Sequence, residues 1–105
     1  MNIEKAAKQL EALGNPTRLR VYRTLVRAGE GGLPVGRLQA KIGIAASTLS
    51  HHLHRLISTE LVTQERQVTT LICRASYPAM NRLLGFLVDE CCADAAAAGE
   101  GEVAA

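Results

Sequence analysis

The chain has no tryptophan, one phenylalanine and two tyrosines, so aromatic packing cannot build its core. With 48% of its 105 residues apolar, that task falls to Leu, Val, Ile and Ala, which favours helices over an aromatic-rich sandwich. Also absent is any run near the ~18 uninterrupted apolar residues of a membrane span, and the opening "MNIEKAAKQL" lacks the apolar core of a signal peptide. These absences predict a cytoplasmic protein with no membrane partner. Three cysteines form an odd, irregularly spaced set, which argues against a disulfide framework and suits a reducing compartment. No internal repeat is present.

What is present fits one domain with a modest core, small enough for a partner subunit to add much of its stability. The formal charge of +2 is uneven. Residues 1–90 carry all 12 Lys and Arg against seven acids, about +5, while Asp94, Glu100 and Glu102 lie in the tail. A polyanionic partner is compatible with that balance.

Ile3, Ala6, Ala7, Leu10 and Leu13 recur at helical spacing before Gly14, predicting a first helix over 3–13. Asn15 caps a second, with Pro16 at its first position and Leu19, Tyr22, Leu25 and Val26 as the buried stripe. It ends in the glycine-rich "AGEGG". Pro34 starts a short third helix carrying Val35, Leu38 and Ile42, closed by Gly43. In "ASTLSHHLHRLIS" the residues Ala46, Leu49, Leu53, Leu56 and Ile57 share one arc, opposite Ser47, Ser50, His51, His54, Arg55 and Ser58.

After Leu61 the period changes. "VTQERQ" and "VTTLICRA" read as a two-stranded hairpin with its tip near Glu65 to Gln67, although the tip lacks the Gly or Asn of a tight turn. Pro78 opens a last helix in which Leu83, Leu84, Leu87, Val88 and Cys91 form one apolar stripe, with Cys92 beside it. From Ala93 onward, "ADAAAAGEGEVAA" has almost nothing to bury. Residues 1–92 are expected to form the domain and 93–105 a disordered tail.

The expected fold is mainly α with a small β-hairpin: short helices, a tight "IGIAAS" connection and a hairpin directly after describe a winged helix-turn-helix. One face of the fourth helix packs on the domain and the other is free to enter the major groove of double-stranded DNA. Small hydroxyls at Ser47, Thr48 and Ser50 allow close approach, and His51, His54 and Arg55 can hydrogen-bond to bases or phosphates. Arg66 at the wing tip, with Arg18, Arg20 and Arg37, is placed to touch phosphates. His52 flanks the apolar stripe and is expected to pack against a neighbouring helix.

"LGNPTRLRVYRTL" (13–25) and "STLSHHLHRLISTELV" (47–62) resemble the two signature regions of the ArsR/SmtB family of winged-helix repressors. The resemblance covers about residues 3–92, and "TLSHHLHRL" is its most specific part. It implies no enzymatic activity, a homodimer held by the first and last helices, operator binding without ligand, and release when an inducer binds. The sequence departs from the family at Ala45 and Ala46, where polar residues are common, and at Glu60, where a helix-ending glycine is usual.

The ligand sets of the metal-sensing relatives are missing: "VGRLQAKIG" holds no cysteine, and no histidine follows His54. There remain Cys73 on the second wing strand and the adjacent pair Cys91 and Cys92. Three thiols without a nearby histidine leave zinc short of four ligands, whereas soft trivalent arsenic or antimony is satisfied by two or three thiolates. A disulfide between neighbours closes a strained ring, while a larger atom bridges the two sulfurs with less distortion. A wing-strand cysteine followed 18 residues later by a Cys-Cys pair resembles family members that respond to trivalent organic arsenicals. The resemblance implies Cys91 and Cys92 as primary ligands and Cys73 as a further one. No cofactor is required on this reading, and the inducer is arsenite, methylarsenite or antimonite. The alternative is a redox switch of the same fold acting through sulfenic acid or an intersubunit disulfide. No basic residue flanks the pair, and Asp89, Glu90 and Asp94 do, which argues against an activated thiol.

Overall fold

The computed structural model describes residues 1–97. The elements are α1 (Ile3–Leu13), α2 (Pro16–Ala28), β1 (Leu33–Pro34), α3 (Val35–Ile42), α4 (Ala46–Ser58), β2 (Val62–Gln67), β3 (Thr70–Ala75), α5 (Tyr77–Val88) and α6 (Ala93–Ala97). Three helix starts follow from local chemistry. The side chain of Asn2 accepts from the Lys5 N–H, that of Asn15 from Thr17 and Arg18, and that of Ser76 from Ala79. Pro16 and Pro78 stand in the first turns, where a missing N–H is harmless.

Val21, Leu25, Leu38, Leu49, Leu56, Leu61 and Val62 form the centre of the core, so α2, α3, α4 and the base of the wing share one apolar interior. Tyr77 anchors α5 to it by donating its hydroxyl to the Val26 carbonyl at 2.8 Å. The sheet is antiparallel in the order β1-β3-β2, with Gln64 opposite Cys73 and Leu33 also opposite Cys73 on the other side. Gly32, at φ 72°, makes the approach of β1 feasible, because a Cβ there would collide with the Cys73 carbonyl and the Arg74 side chain.

Three expectations need correcting or completing. Pro34 is the N-cap of α3, as well as the end of β1, a two-residue strand too short to show any period. The wing tip is later than expected: Gln67 pairs with Thr70, leaving Val68 and Thr69 as the turn and Arg66 opposite Leu71. Val68 takes φ 58° there, a conformation that a β-branched residue rarely adopts. Finally, α5 stops at Val88, so Cys91 lies beyond the helix and does not extend its apolar stripe. Asp89 and Glu90 oppose the negative end of the helix dipole, no basic residue occupies the last turn, and Glu90 and Cys92 adopt φ 62° and 61°. The start of the expected tail is helical at Ala93–Ala97, and residues 98–105 lie outside the described residues.

Candidate nucleic-acid interface and thiol pair

Gly43 ends α3 at φ 78°, ψ 36°, and its N–H donates to the Gln39 carbonyl at 2.8 Å. Gln39 in turn donates to the Ile44 carbonyl at 3.2 Å, and Arg20 reaches from α2 to the Ile42 carbonyl, also at 3.2 Å. These bonds fix the turn and hence the angle at which α4 leaves it. Leu49, Leu53 and Leu56 hold α4 on the core, while Ser47, Thr48, Ser50, His51 and His54 are exposed. The five exposed residues form the expected outward face.

Ala45 gives α4 no side-chain cap, so its first N–H groups stay free to meet a phosphate at the positive end of the helix. Beside this face a groove of about 330 Å³ runs between α3, α4 and the wing, lined in part by Gln39, Ser50, His54 and Gln64. Gln39 and Gln64 add two amides to the residues expected from the sequence. Periodicity gives no signal for Gln64, since β2 beyond Val62 is exposed throughout, while Gln39 stands next to the buried Leu38 on α3.

The arginines divide. Arg66 is exposed on β2, set back from the tip. Arg55 is half-buried with its guanidinium 3.6 Å from the Glu11 carboxylate of α1, so it is held rather than free. Arg18 is no phosphate ligand: it is buried, with Nε donating to the Ala12 carbonyl at 2.6 Å and Nη2 to that of Glu11 at 3.4 Å. It satisfies the end of α1, where carbonyls have no partners of their own. His52 is half-buried as expected, with a buried Nδ1 that has no partner. Burial first, then the charges of Arg18, His51 and Arg55, lower its pKa from the ordinary 6.5.

Cys91 and Cys92 are exposed in the turn after α5, their sulfurs 3.6 Å apart. Cys73 is fully buried in β3, where Gln64 Nε2 lies 3.5 Å from its sulfur and burial pushes the thiol pKa up. Among the described residues no three His, Cys, Asp or Glu side chains converge, so one chain does not bring Cys73 to the pair. The strand pattern "LIC" was the sign that Cys73 is core.

A tight-turned pair of helices, an exposed polar face on the second and an antiparallel wing beside it define a winged helix-turn-helix DNA-binding domain. Residues 13–65 match the family model described as a helix-turn-helix domain. The chain belongs to the ArsR family of winged helix-turn-helix transcriptional regulators, which are DNA-binding proteins and not enzymes. It is 37% identical over 86 residues to the nodulation protein NolR of Rhizobium meliloti, covering 82% of this chain and 68% of that one. Identity to the biofilm growth-associated repressor of Xylella fastidiosa is 33% over 89 residues, 85% of this chain and 75% of the relative. The crystal structure of NolR from Sinorhizobium fredii superposes with a TM-score of 0.66 at 35% identity, over 82% of this chain and 83% of that one. That of the repressor BigR from Xylella fastidiosa gives 0.65 at 30%, over 85% and 88%. No helix among the described residues is long and apolar enough to cross a membrane.

Proposed function

We propose that the chain is a homodimeric, cytoplasmic transcriptional repressor that leaves its operator when Cys91 and Cys92 capture a trivalent arsenical or antimonial. The observation that carries this reading is the pair of exposed sulfurs 3.6 Å apart. With bonds of ~2.3 Å to each sulfur, the length zinc makes to thiolate, one soft atom spans that gap at an angle of about 103°. Such an angle suits a pyramidal three-coordinate centre. Arsenite and antimonite exchange two hydroxides for the two thiolates and release two waters. Methylarsenite does the same and keeps its methyl group, so a third thiol is not needed.

The dimer reading rests on Ile3, Leu10, Leu84, Leu87 and Val88, which leave an exposed apolar surface on α1 and α5. A winged helix-turn-helix domain from Mycobacterium bovis, 25% identical with a TM-score of 0.67, is described as homodimeric. Because the pair follows α5 by three residues, a ligand bridging it would act at the edge of that surface. Coupling of ~1–3 kcal/mol would change DNA affinity ~5–150-fold.

The test is a titration of the reduced protein on its own upstream DNA with arsenite, methylarsenite and antimonite in turn. A Cys91→Ser, Cys92→Ser variant should keep DNA binding and lose the response, and release at the parent's concentration would sink the reading. Two exposed thiols also suit the redox switch that acts through sulfenic acid or an intersubunit disulfide. Peroxide serves as the discriminating arm, since release by it alone would favour that alternative.

A further inference from the structure

Arg20, Arg23 and Arg27 follow one another along α2 at spacings of three and four, and Arg37 and Lys41 stand four apart on α3. Such spacings place each set on one side of its helix. The five line two adjoining clefts, of about 390 and 530 Å³, that share Thr24 and Arg27. All five are exposed, and none takes part in a salt bridge among the described residues. No Asp or Glu lines either cleft. Five of the chain's 12 basic residues thus stand together without compensation, a self-repelling arrangement that stability alone does not favour.

This surface is not the recognition groove. On α3, Gln39 lines the groove shared with α4 and the wing, whereas Arg37 and Lys41 line the cleft shared with α2. The width of a helix, about 10 Å, separates the two. From Arg20 to Arg27 the row runs about 10.5 Å along the axis, close to the ~10.2 Å axial rise of three phosphate-to-phosphate steps on one DNA strand. An elongated row of cations matches a polymer backbone better than a compact anion. Arg20 also has its guanidinium fixed by the Ile42 carbonyl, which ties the row to the end of α3 beside the turn.

We propose that the α2–α3 flank binds phosphates of DNA lying outside the half-site read by α4, so that the operator extends beyond the major-groove contacts and curves toward this flank. The inference rests on α4 being the DNA-contacting helix. The test compares the parent with an Arg23→Gln, Arg27→Gln, Lys41→Gln variant, all exposed positions, on the protein's own upstream DNA in two lengths. One duplex spans only the two half-sites and the other extends it by one helical turn at each end.

The parent should bind the long duplex more tightly and with a steeper salt dependence. The variant should lose that advantage, its slope on the long duplex falling by ~0.9 for each phosphate contact removed, while affinity for the short one stays within about twofold. Equal binding of both lengths by the parent would overturn the proposal, and so would equal loss on both lengths by the variant. A third arm adds inorganic tripolyphosphate. If it stabilises the parent and not the variant while DNA length has no effect, the cleft holds a small anion and the proposal fails. A Ser47→Ala, His51→Ala variant with unchanged binding to the short duplex would instead overturn the assignment of α4, a separately readable failure.

Discussion

The carboxylate of Glu11 on α1 lies 3.6 Å from the guanidinium of Arg55 on α4. It is one of three polar ties between these helices or their ends. Lys5 Nζ meets the Glu60 carboxylate at 2.8 Å, and Gln9 Nε2 donates to the Thr59 carbonyl at 2.9 Å. The helix that bears Ile3 and Leu10 on the apolar surface is thereby strapped along the C-terminal half of α4, the helix proposed to face DNA. A shift of α1 at a subunit contact would move α4 with it. That gives events near α5 and α1 a short physical route to the interface.

On the proposal that Arg55 meets a DNA phosphate, this strap competes with DNA, since a guanidinium held by a carboxylate is less available to a phosphate. Glu11→Gln should therefore tighten DNA binding about 2–5-fold, the scale of an exposed ion pair, and steepen the salt dependence by about one counterion. Stability should move by less than ~1 kcal/mol, because Glu11 is largely exposed. The same substitution in an Arg55→Gln background should have no effect on affinity, and an effect that persists there would show that Arg55 is not the target.

His52 makes stability depend on pH in a predictable direction. Its folded pKa is lowered by burial and by Arg18, His51 and Arg55, so the unfolded chain binds the proton more readily. Stability is then full above about pH 6.5, the ordinary histidine value, and declines as the pH falls from there toward the folded pKa. Denaturant unfolding at pH 7.5, 6.5 and 5.5 should show that decline, and His52→Gln should flatten it. An unchanged slope in the variant would assign the effect to other groups.

The helices were legible because their signals are local: Asn15 before Pro16, Gly43 after Ile42 and the leucine arc of α4 each state a boundary or a buried face. Glu60 was legible in a different way, since a residue where glycine is usual takes φ 69°, the region that favours glycine. What escaped was set by partners distant in sequence. Arg18 looks like any surface arginine until α1 turns its end toward it, and Arg55 meets Glu11 across 44 residues. The β1 strand exists only because Ile72 and Cys73 of β3 offer Leu33 and Pro34 an edge to pair with. The end of α5 eluded the apolar pattern because nothing in a list of side chains shows where the backbone leaves the helix.

Cys73 separates the two kinds of thiol in this chain. It lies between β1 and β2 with no exposed surface, while Cys91 and Cys92 stand in solvent beyond α5. A thiol whose pKa is raised by burial is a poor source of the thiolate that a soft ion binds, and the surrounding strands would have to open for a ligand to reach it. Cys73→Ala should therefore leave the inducer concentration for DNA release unchanged, in contrast to Cys91→Ser or Cys92→Ser. Its cost should appear in folding, at about 1 kcal/mol for the small cavity left in the shared core. Thermal unfolding and an inducer titration on the same preparation measure both quantities. If Cys73→Ala instead shifted the inducer response tenfold with little change in Tm, the buried thiol would belong to the site after all.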